Sequence, residues 1–226
     1  MTSSSSFPEP PAILPFGEGA LAVEVTSALE LATQQRIWAL AAALRDMPGI
    51  VETGLGMANL LVVYDPERWE PERLGATIDE LWPTLRPAPL EGRIWEFPVV
   101  YGGARGPDLA VVAAHAGITP AAAAAMHAAV DYVVFAPSVT PGYGYLFGVP
   151  PALVMPRKAV PIMLKEPGTI SIGGVQATIG MTPGPSGWYA LGHTTRFVHP
   201  FDPAATPPLT VAVGDRIRFL VEDVLP

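Results

Sequence analysis

The chain predicts an α+β fold: a ferredoxin-like βαββαβ module over residues 12–95, followed by a β-barrel domain over residues 96–226. Three observations predict it. Strand and helix periodicities alternate in the first part of the chain. From Asp131 onward, short apolar runs are separated by dense Gly and Pro punctuation. Half of the 226 residues are hydrophobic, enough for sizeable cores.

Residues 20–25 (ALAVEV) alternate apolar and polar and predict the first strand. Ser27 with Glu30 makes a capping box for the helix that follows, in which Ile37, Leu40, Ala41 and Leu44 recur on one face. Pro48 and Gly49 end that helix. Strands at about 49–54 and 58–64 flank a tight turn. A second helix opens near Pro71, a residue suited to the first helical position, and carries Leu74, Ile78, Leu81, Trp82 and Leu85 on one face. A strand at about 93–100 closes the module.

Beyond Tyr101 two short helices are expected. One covers 108–116 and stops at Gly117; the other has Thr119 as N-cap, Pro120 next, and an Ala run at 121–125 that reads as plain helix propensity. Strands then follow near 132–136, 168–173, 175–180, 188–192, 195–198 and 209–220, which predicts a closed or nearly closed barrel. The loops between them carry PGYGYLFG at 141–148, MPRKAVP at 155–161, ISIGGVQATIG at 170–180 and PGPSGW at 183–188, a loop-rich series that shapes a cleft.

Composition excludes several classes. A formal net charge of -8 with only 13 Lys plus Arg argues against a nucleic-acid partner, since neutralising phosphates needs a basic face. With no cysteine there is no disulfide, thiolate nucleophile or Cys-ligated zinc, which fits a reducing, cytoplasmic setting. Residues 1–11 (MTSSSSFPEPP) have neither a basic nor an apolar region of a signal peptide and are expected to form a disordered tail. No apolar stretch reaches 18 residues, so no membrane-spanning helix is expected.

Several motifs fail on inspection. GLGMAN at 54–59 lacks the third Gly of a dinucleotide fingerprint and lies between two strands, so it reads as a hairpin turn. There is no P-loop, no paired-His spacing that supports a metal, and no GxSxG elbow to make Ser138, Ser171 or Ser186 a nucleophile. His193 and His199 read as strand-edge or solvent residues.

An ordered set of motifs carries more. YGGARGPDL at 101–109 is followed by His115, His127, PGYGYLFG, Pro156 with Arg157, Ile172 to Ile179 with Gln176, PSGW at 185–188, FDP at 201–203 and GDRIRF at 214–219. Taken in order over about residues 14–219, they resemble the allophanate hydrolase subunit 1 family. That family includes the B subunit of ATP-dependent 5-oxoprolinase and a sporulation histidine-kinase inhibitor. The resemblance implies a cyclophilin-like barrel and an ATP-driven opening of a lactam, 5-oxoproline to glutamate, shared among subunits. It implies a subunit 2 homologue as partner, a third amidase-like subunit for final hydrolysis, and ATP with Mg²⁺ bound in the complex. The sequence departs from the family pattern at Pro161 with Ile162, where a second Pro-Arg is usual, and at His193, where an Arg is usual.

His115 and His127 match family positions for proton donation or oxyanion stabilisation, or else are neutral imidazoles bonding backbone carbonyls where helix meets barrel. Arg157 is a candidate catalytic cation able to bind a carboxylate or phosphate bidentately; the plain alternative is a solvated side chain. Gly142, Tyr143, Gln176 and Trp188 are candidate substrate-binding residues. Gln176 either satisfies a backbone group or faces the cleft, and Trp188 is core or cleft wall. No metal ligands are expected. Apolar stretches at 147–155 and 160–164, with a mean hydropathy of +0.34, point to an interface with a partner subunit. Two other classes remain beside the enzyme subunit: a non-catalytic kinase-binding protein and, last, a peptidyl-prolyl isomerase suggested by the barrel alone.

Overall fold

A short hairpin begins the first unit: β1 (Ala12–Pro15) pairs antiparallel with β2 (Ala20–Glu24). The computed structural model describes residues 9–26, 29–87, 90–139, 142–164, 166–196 and 198–226, which divide into units 1–89 and 90–226. After β2 come α1 (Leu31–Arg45), β3 (Ile50–Leu55), β4 (Asn59–Tyr64) and α2 (Pro71–Leu81). The sheet order is β1-β2-β4-β3, antiparallel throughout. The apolar face of α1 supplies Ile37, Leu40, Ala41 and Leu44 to a core with Leu21, Val23, Leu60, Val62, Leu74, Ile78 and Trp82. The predicted face periodicities therefore hold in both helices. Pro71 occupies the first turn of α2, as expected.

Two expectations in this unit are corrected. The capping box does not form: Glu30 is the extended residue before the helix (φ -132°, ψ 154°) and makes no side-chain cap bond, while Ser27 lies outside the described residues. The strand expected at 93–100 to close this sheet belongs instead to the second unit, so the division falls at 89/90 and not at 95/96. Its place beside β2 is taken by β1, which reaches that edge through a short turn, the cheaper closure in chain entropy. The GLGMAN segment is a hairpin turn, with Gly56 N–H bonded to the Asn59 carbonyl at 3.0 Å. The buried amide of Gln34 braces it by donating to Gly56 O (2.9 Å) and accepting from Ala58 N (2.8 Å).

The second unit runs β5 (Ile94–Gly102), α3 (Leu109–His115), α4 (Pro120–Ala128), β6 (Asp131–Ala136), β7 (Tyr145–Phe147), β8 (Ile162–Leu164), β9 (Thr169–Gly173), β10 (Gln176–Gly180), β11 (Gly184–Ser186), β12 (Tyr189–Thr194) and β13 (Arg216–Leu225). Seven of these strands close a barrel in the order β10-β7-β6-β13-β5-β12-β9, with β5 and β13 parallel. β8 and β11 form a separate two-stranded antiparallel ribbon. The mixed α+β class with a barrel is thus the observed one.

Helix α4 starts as predicted, with Thr119 Oγ1 accepting from Ala122 N at 3.2 Å, and α3 stops before Gly117, whose φ is +68°. The Ala run has a second use: Ala123 and Ala124 are buried, so α4 approaches the core that holds Phe97, Val99, Tyr101, Tyr132 and Phe219. Two strand assignments change. Thr195 and Arg196 lie past the end of β12 instead of forming a strand at 195–198, and residue 197 is outside the described set. Residues 209–215 are loop, and β13 begins only at Arg216. The reason is Asp215, whose carboxylate gathers Arg93 N (2.8 Å), Trp95 Nε1 (2.8 Å) and Ala212 N (3.0 Å) and so turns the chain. Short β7, β8 and β11 were not foreseen, because their residues sit inside Gly- and Pro-rich runs. Among the described residues no single helix is long and apolar enough to cross a membrane.

Candidate ligand pocket on the barrel wall

Strands β9 and β10 send Ile170, Ile172, Ala177 and Ile179 into the core. By the two-residue period of a strand, Ser171 and Gly173 on β9 and Gln176, Thr178 and Gly180 on β10 belong to the opposite face. That face is covered by the excursion that carries MPRKAVP, the β8–β11 ribbon and PGPSGW. Gly174 N donates to Met155 O (2.8 Å) and Lys158 N donates to Gly187 O (2.7 Å), which binds the excursion to itself and to the β9–β10 turn. Trp188 lies across Gly173: a Cβ at that position would fall 2.8 Å from the indole carbons. Only glycine lets the ring rest on the strand here.

Between this cover and the barrel wall is a cavity of about 230 Å³, lined by Tyr145, Arg157, Ser171, Thr178, Ser186 and Trp188 among others. The Arg157 guanidinium stands 5.4 Å from the Trp188 ring centroid, a cation–π arrangement. The Tyr145 ring lies 5.9 Å from that of Trp188, tilted by 31°. Thr178 Oγ1 donates to Gly144 O (3.0 Å), and Ser186 Oγ accepts from Trp188 N (3.1 Å). Ser171 is 1 % exposed, and its Oγ has no hydrogen-bond partner among the described residues. Among the described residues no Asp or Glu lines the cavity. The site therefore offers hydroxyl groups and one cation against two aromatic faces, a setting for a small, flat, anionic or polar ligand.

The cover is tethered by a residue the motif YGGARGPDL contains but sequence reasoning did not single out. Asp108 Oδ2 accepts from Lys158 Nζ (2.6 Å) and from Ala190 N (2.8 Å), and both side chains of the ion pair are only 13 % exposed. Lys158 Nζ also stands 5.2 Å from the Tyr189 ring centroid. Arg157 directly precedes Lys158, so the ion pair anchors the segment that carries it.

Of the candidate residues, Arg157 and Trp188 meet in this pocket. Gln176 shares the β10 face with Thr178 but is not among the residues that line it. Gly142 lines a separate apolar cavity of about 320 Å³ with Val134, Phe201, Leu209 and Val211. Tyr143 is a core residue: its hydroxyl donates to Val198 O, and its ring meets Phe97 edge-on at 5.2 Å. His115 is exposed at the end of α3, with Nε2 3.2 Å from Val154 O. His127 is fully buried, its Nδ1 2.8 Å from the Tyr101 hydroxyl and its ring stacked 5.0 Å from Phe219. Burial lowers its pKa from 6.5 to about 3, so it is neutral at physiological pH. Neither histidine lines the pocket. His115 contacts the Val154 carbonyl in the loop before β8, and His127 contacts the Tyr101 phenol of β5. His193 bonds Pro167 O through Nε2 at 2.7 Å and faces Arg105 Nη1 at 3.4 Å. Among the described residues no three His, Cys, Asp or Glu side chains come close enough to hold a metal ion. Sequence reasoning did not single out Tyr145, Thr178 or Ser171 as pocket-lining residues, although a Ser between Ile170 and Ile172 marks the non-core face of a strand.

The chain matches the family described as carboxyltransferase domain, subdomain C and D, over residues 11–211. It is 40% identical over 205 residues to the 5-oxoprolinase B subunit of Escherichia coli O157:H7, covering 90% of this chain and 93% of that protein. The 5-oxoprolinase B subunit of Haemophilus influenzae is 34% identical over 213 residues, covering 94% and 98%. The crystal structure of TTHA0988 superposes with a TM-score of 0.71 at 32% identity over 90% of this chain, which spans only 40% of that longer protein.

Proposed function

The chain belongs to the carboxyltransferase domain family, subdomains C and D, with the 5-oxoprolinase B subunits, and from that premise we propose that it is the B-type member of a complex that opens a lactam in an ATP-driven reaction. The observation that carries the reading is the 40% identity to a 5-oxoprolinase B subunit that extends over 93% of that protein. The substrate proposed is 5-oxoproline, and the product glutamate.

An amide carbonyl is a poor electrophile, and phosphorylation of its oxygen turns that oxygen into a leaving group; such a step consists mostly of positioning and charge stabilisation. This chain's share is to hold the lactam in the wall pocket. Trp188 and Tyr145 form the aromatic side of the pocket against the ring, and Arg157 stabilises negative charge on the substrate. His127, sealed in the core and neutral, does not reach the pocket, so proton transfer falls to groups other than this histidine. Mg²⁺-ATP does not fit the pocket as this chain builds it: among the described residues no carboxylate lines the cavity to ligate Mg²⁺, and a single guanidinium faces a triphosphate. ATP with Mg²⁺ is proposed to bind in the assembled complex, with a subunit 2 homologue and a third subunit for final hydrolysis.

The proposed partner surface differs in part from the one expected. Residues 147–155 are largely internal, with Val149, Leu153 and Met155 buried, so they leave the interface assignment. Val139, Val160 and Met163 are 90%, 77% and 61% exposed and form its apolar part. A permanent complex there buries more than about 1,200 Å² in total.

Co-expression with the subunit 2 homologue, followed by size-exclusion chromatography and an assay of 5-oxoproline-dependent ATP hydrolysis, tests the function. Co-elution and turnover only by the complex are expected; a chain that ignores that partner, or that turns over ATP and lactam unaided, defeats the proposal. In the reconstituted complex Arg157→Ala lowers kcat/KM at least tenfold, about 1.4 kcal/mol of transition-state stabilisation. Wild-type rates from a correctly folded Arg157→Ala complex overturn the role of that cation.

A further inference from the structure

Ser171 sits on β9 between Thr178 of β10 and Ala190 of β12, beneath the cover that carries Trp188. Its hydroxyl is almost entirely removed from water and unpartnered among the described residues. Buried hydroxyls are nearly always hydrogen-bonded, because leaving one unpaired forfeits its hydration without return. Alanine fits the same strand position with no such penalty, so protein stability alone gives no reason for the hydroxyl. A ligand in the cavity does.

The chemistry of that ligand follows from what lines the cavity and what does not. The chain carries a formal charge of -8, with 21 Asp plus Glu against 13 Lys plus Arg, yet among the described residues no acid lines this pocket and one cation, Arg157, does. The Arg157 guanidinium carbon stands 5.4 Å from the Trp188 ring centroid, a cation–π contact. No ion pair involves Arg157 among the described residues. Ser186 Oγ accepts from Trp188 N, so its proton is free to donate elsewhere. A cavity of about 230 Å³ is smaller than a drug-sized pocket of roughly 300–1,000 Å³, and the tilted Tyr145 and Trp188 rings make its walls flat.

We propose that this wall pocket is a small-carboxylate site, in which the Ser171 hydroxyl and the Arg157 guanidinium bind the carboxylate of a compact ring-bearing acid while Tyr145 and Trp188 form the aromatic side of the pocket against which the ring rests. The site deepens the function proposed above and rests on it for the ligand's identity, namely the acid group of 5-oxoproline. Its chemistry rests on the pocket alone. Ser171 then selects an acid-bearing lactam over a neutral one, a role in binding that is separate from the chemistry at the lactam carbonyl.

Isothermal titration of the full chain, alone and in the reconstituted complex, with 5-oxoproline and with 2-pyrrolidinone tests it. 2-Pyrrolidinone is the same ring without the carboxylate. The acid is expected to bind at least tenfold more tightly than the neutral ring. Ser171→Ala weakens the acid at least tenfold, leaves 2-pyrrolidinone unaffected, and keeps or raises the melting temperature. Equal binding of the two rings, an unaltered affinity in Ser171→Ala, or no binding of either ring to chain or complex overturns the site. A fall in the melting temperature of Ser171→Ala overturns it too, since the hydroxyl is then structural. The two proposals fail separately. Lactam turnover that ignores Ser171→Ala removes the carboxylate site and leaves the function. Carboxylate-selective binding of 5-oxoproline without ATP-linked turnover in the complex removes the function and leaves the site.

Discussion

Asp108→Ala is expected to destabilise the barrel unit by about 3 kcal/mol and to lower the activity of the complex at the same time. The carboxylate accepts from Lys158 Nζ and from Ala190 N through one oxygen, with both members of the ion pair 13 % exposed. Truncation strands a mostly desolvated ammonium and a strand N–H together, the case in which breaking a buried pair costs about 3–5 kcal/mol. The residual exposure places the effect at the lower end of that range. Lys158→Met leaves no uncompensated charge on the excursion, so the double variant Asp108→Ala/Lys158→Met should recover much of the loss. Urea unfolding of the four proteins of this cycle measures the coupling, and an interaction energy near zero overturns the tether. The functional arm follows from position. Arg157 precedes Lys158, so a freed excursion lets the guanidinium leave Trp188 and widens the pocket.

Local signals proved the legible part of this sequence. Thr119-Pro120 specifies a helix start through one short-range cap, and the structure has it. The Ile37, Leu40, Ala41 and Leu44 stripe needs only a helical period and a sheet to cover it. What the residues do not carry is which sheet a strand joins. β5 has the pattern of a half-buried strand wherever it goes, and its partner β13 lies more than a hundred residues away in sequence. The extra strand β1 was hidden for the opposite reason: AILP ends in a proline, which weakens a strand reading unless the strand is an edge, as it is here. Likewise 209–220 alternates well enough for one long strand, and a single buried aspartate, Asp215, breaks it by claiming three donors.

The site was legible in proportion to how far each residue's role depends on its own segment. Arg157 stands out as a cation among apolar and turn residues, and it does line the cavity. Tyr143 and Tyr145 are two residues apart in one turn-rich run, yet one is core and the other is pocket wall, a choice made by the loop that ends at Gly144 with φ +78°. Histidine position on a helix says nothing of burial: His115 and His127 both occupy last turns, one exposed and one sealed. Ser171 could be assigned to the non-core face from ISIGG, but its lack of a hydrogen-bond partner among the described residues is a property of the closed cover, which forms from segments distant in sequence, as Trp188 illustrates.

His127→Gln should cost the barrel unit about 2–3 kcal/mol at pH 7 and flatten its response to acid, without moving either limb of the complex's pH–rate profile. The stability loss comes from packing: the imidazole is fully buried, stacks on Phe219 at 5.0 Å, lies 5.1 Å from the Tyr132 ring and shares a 2.8 Å hydrogen bond with Tyr101. A flexible amide replaces none of the ring contacts, a change in the usual range for disrupting a packed core. Desolvation also lowers the folded-state pKa from 6.5 to about 3. Above pH 6.5 neither folded nor unfolded chain holds the proton, so the neutral ring's full stabilisation is present. As the pH falls below 6.5 the unfolded chain binds a proton that the folded core refuses, and stability declines by up to about 1.4 kcal/mol per pH unit until the pH nears 3. Gln has no proton to take up, so wild type and variant should converge in stability on acidification. Denaturant unfolding at pH 7, 6, 5 and 4 reads both effects. Parallel pH slopes overturn the buried titration, and a pH–rate limb lost in His127→Gln at unchanged stability would show the imidazole reaching the reaction after all.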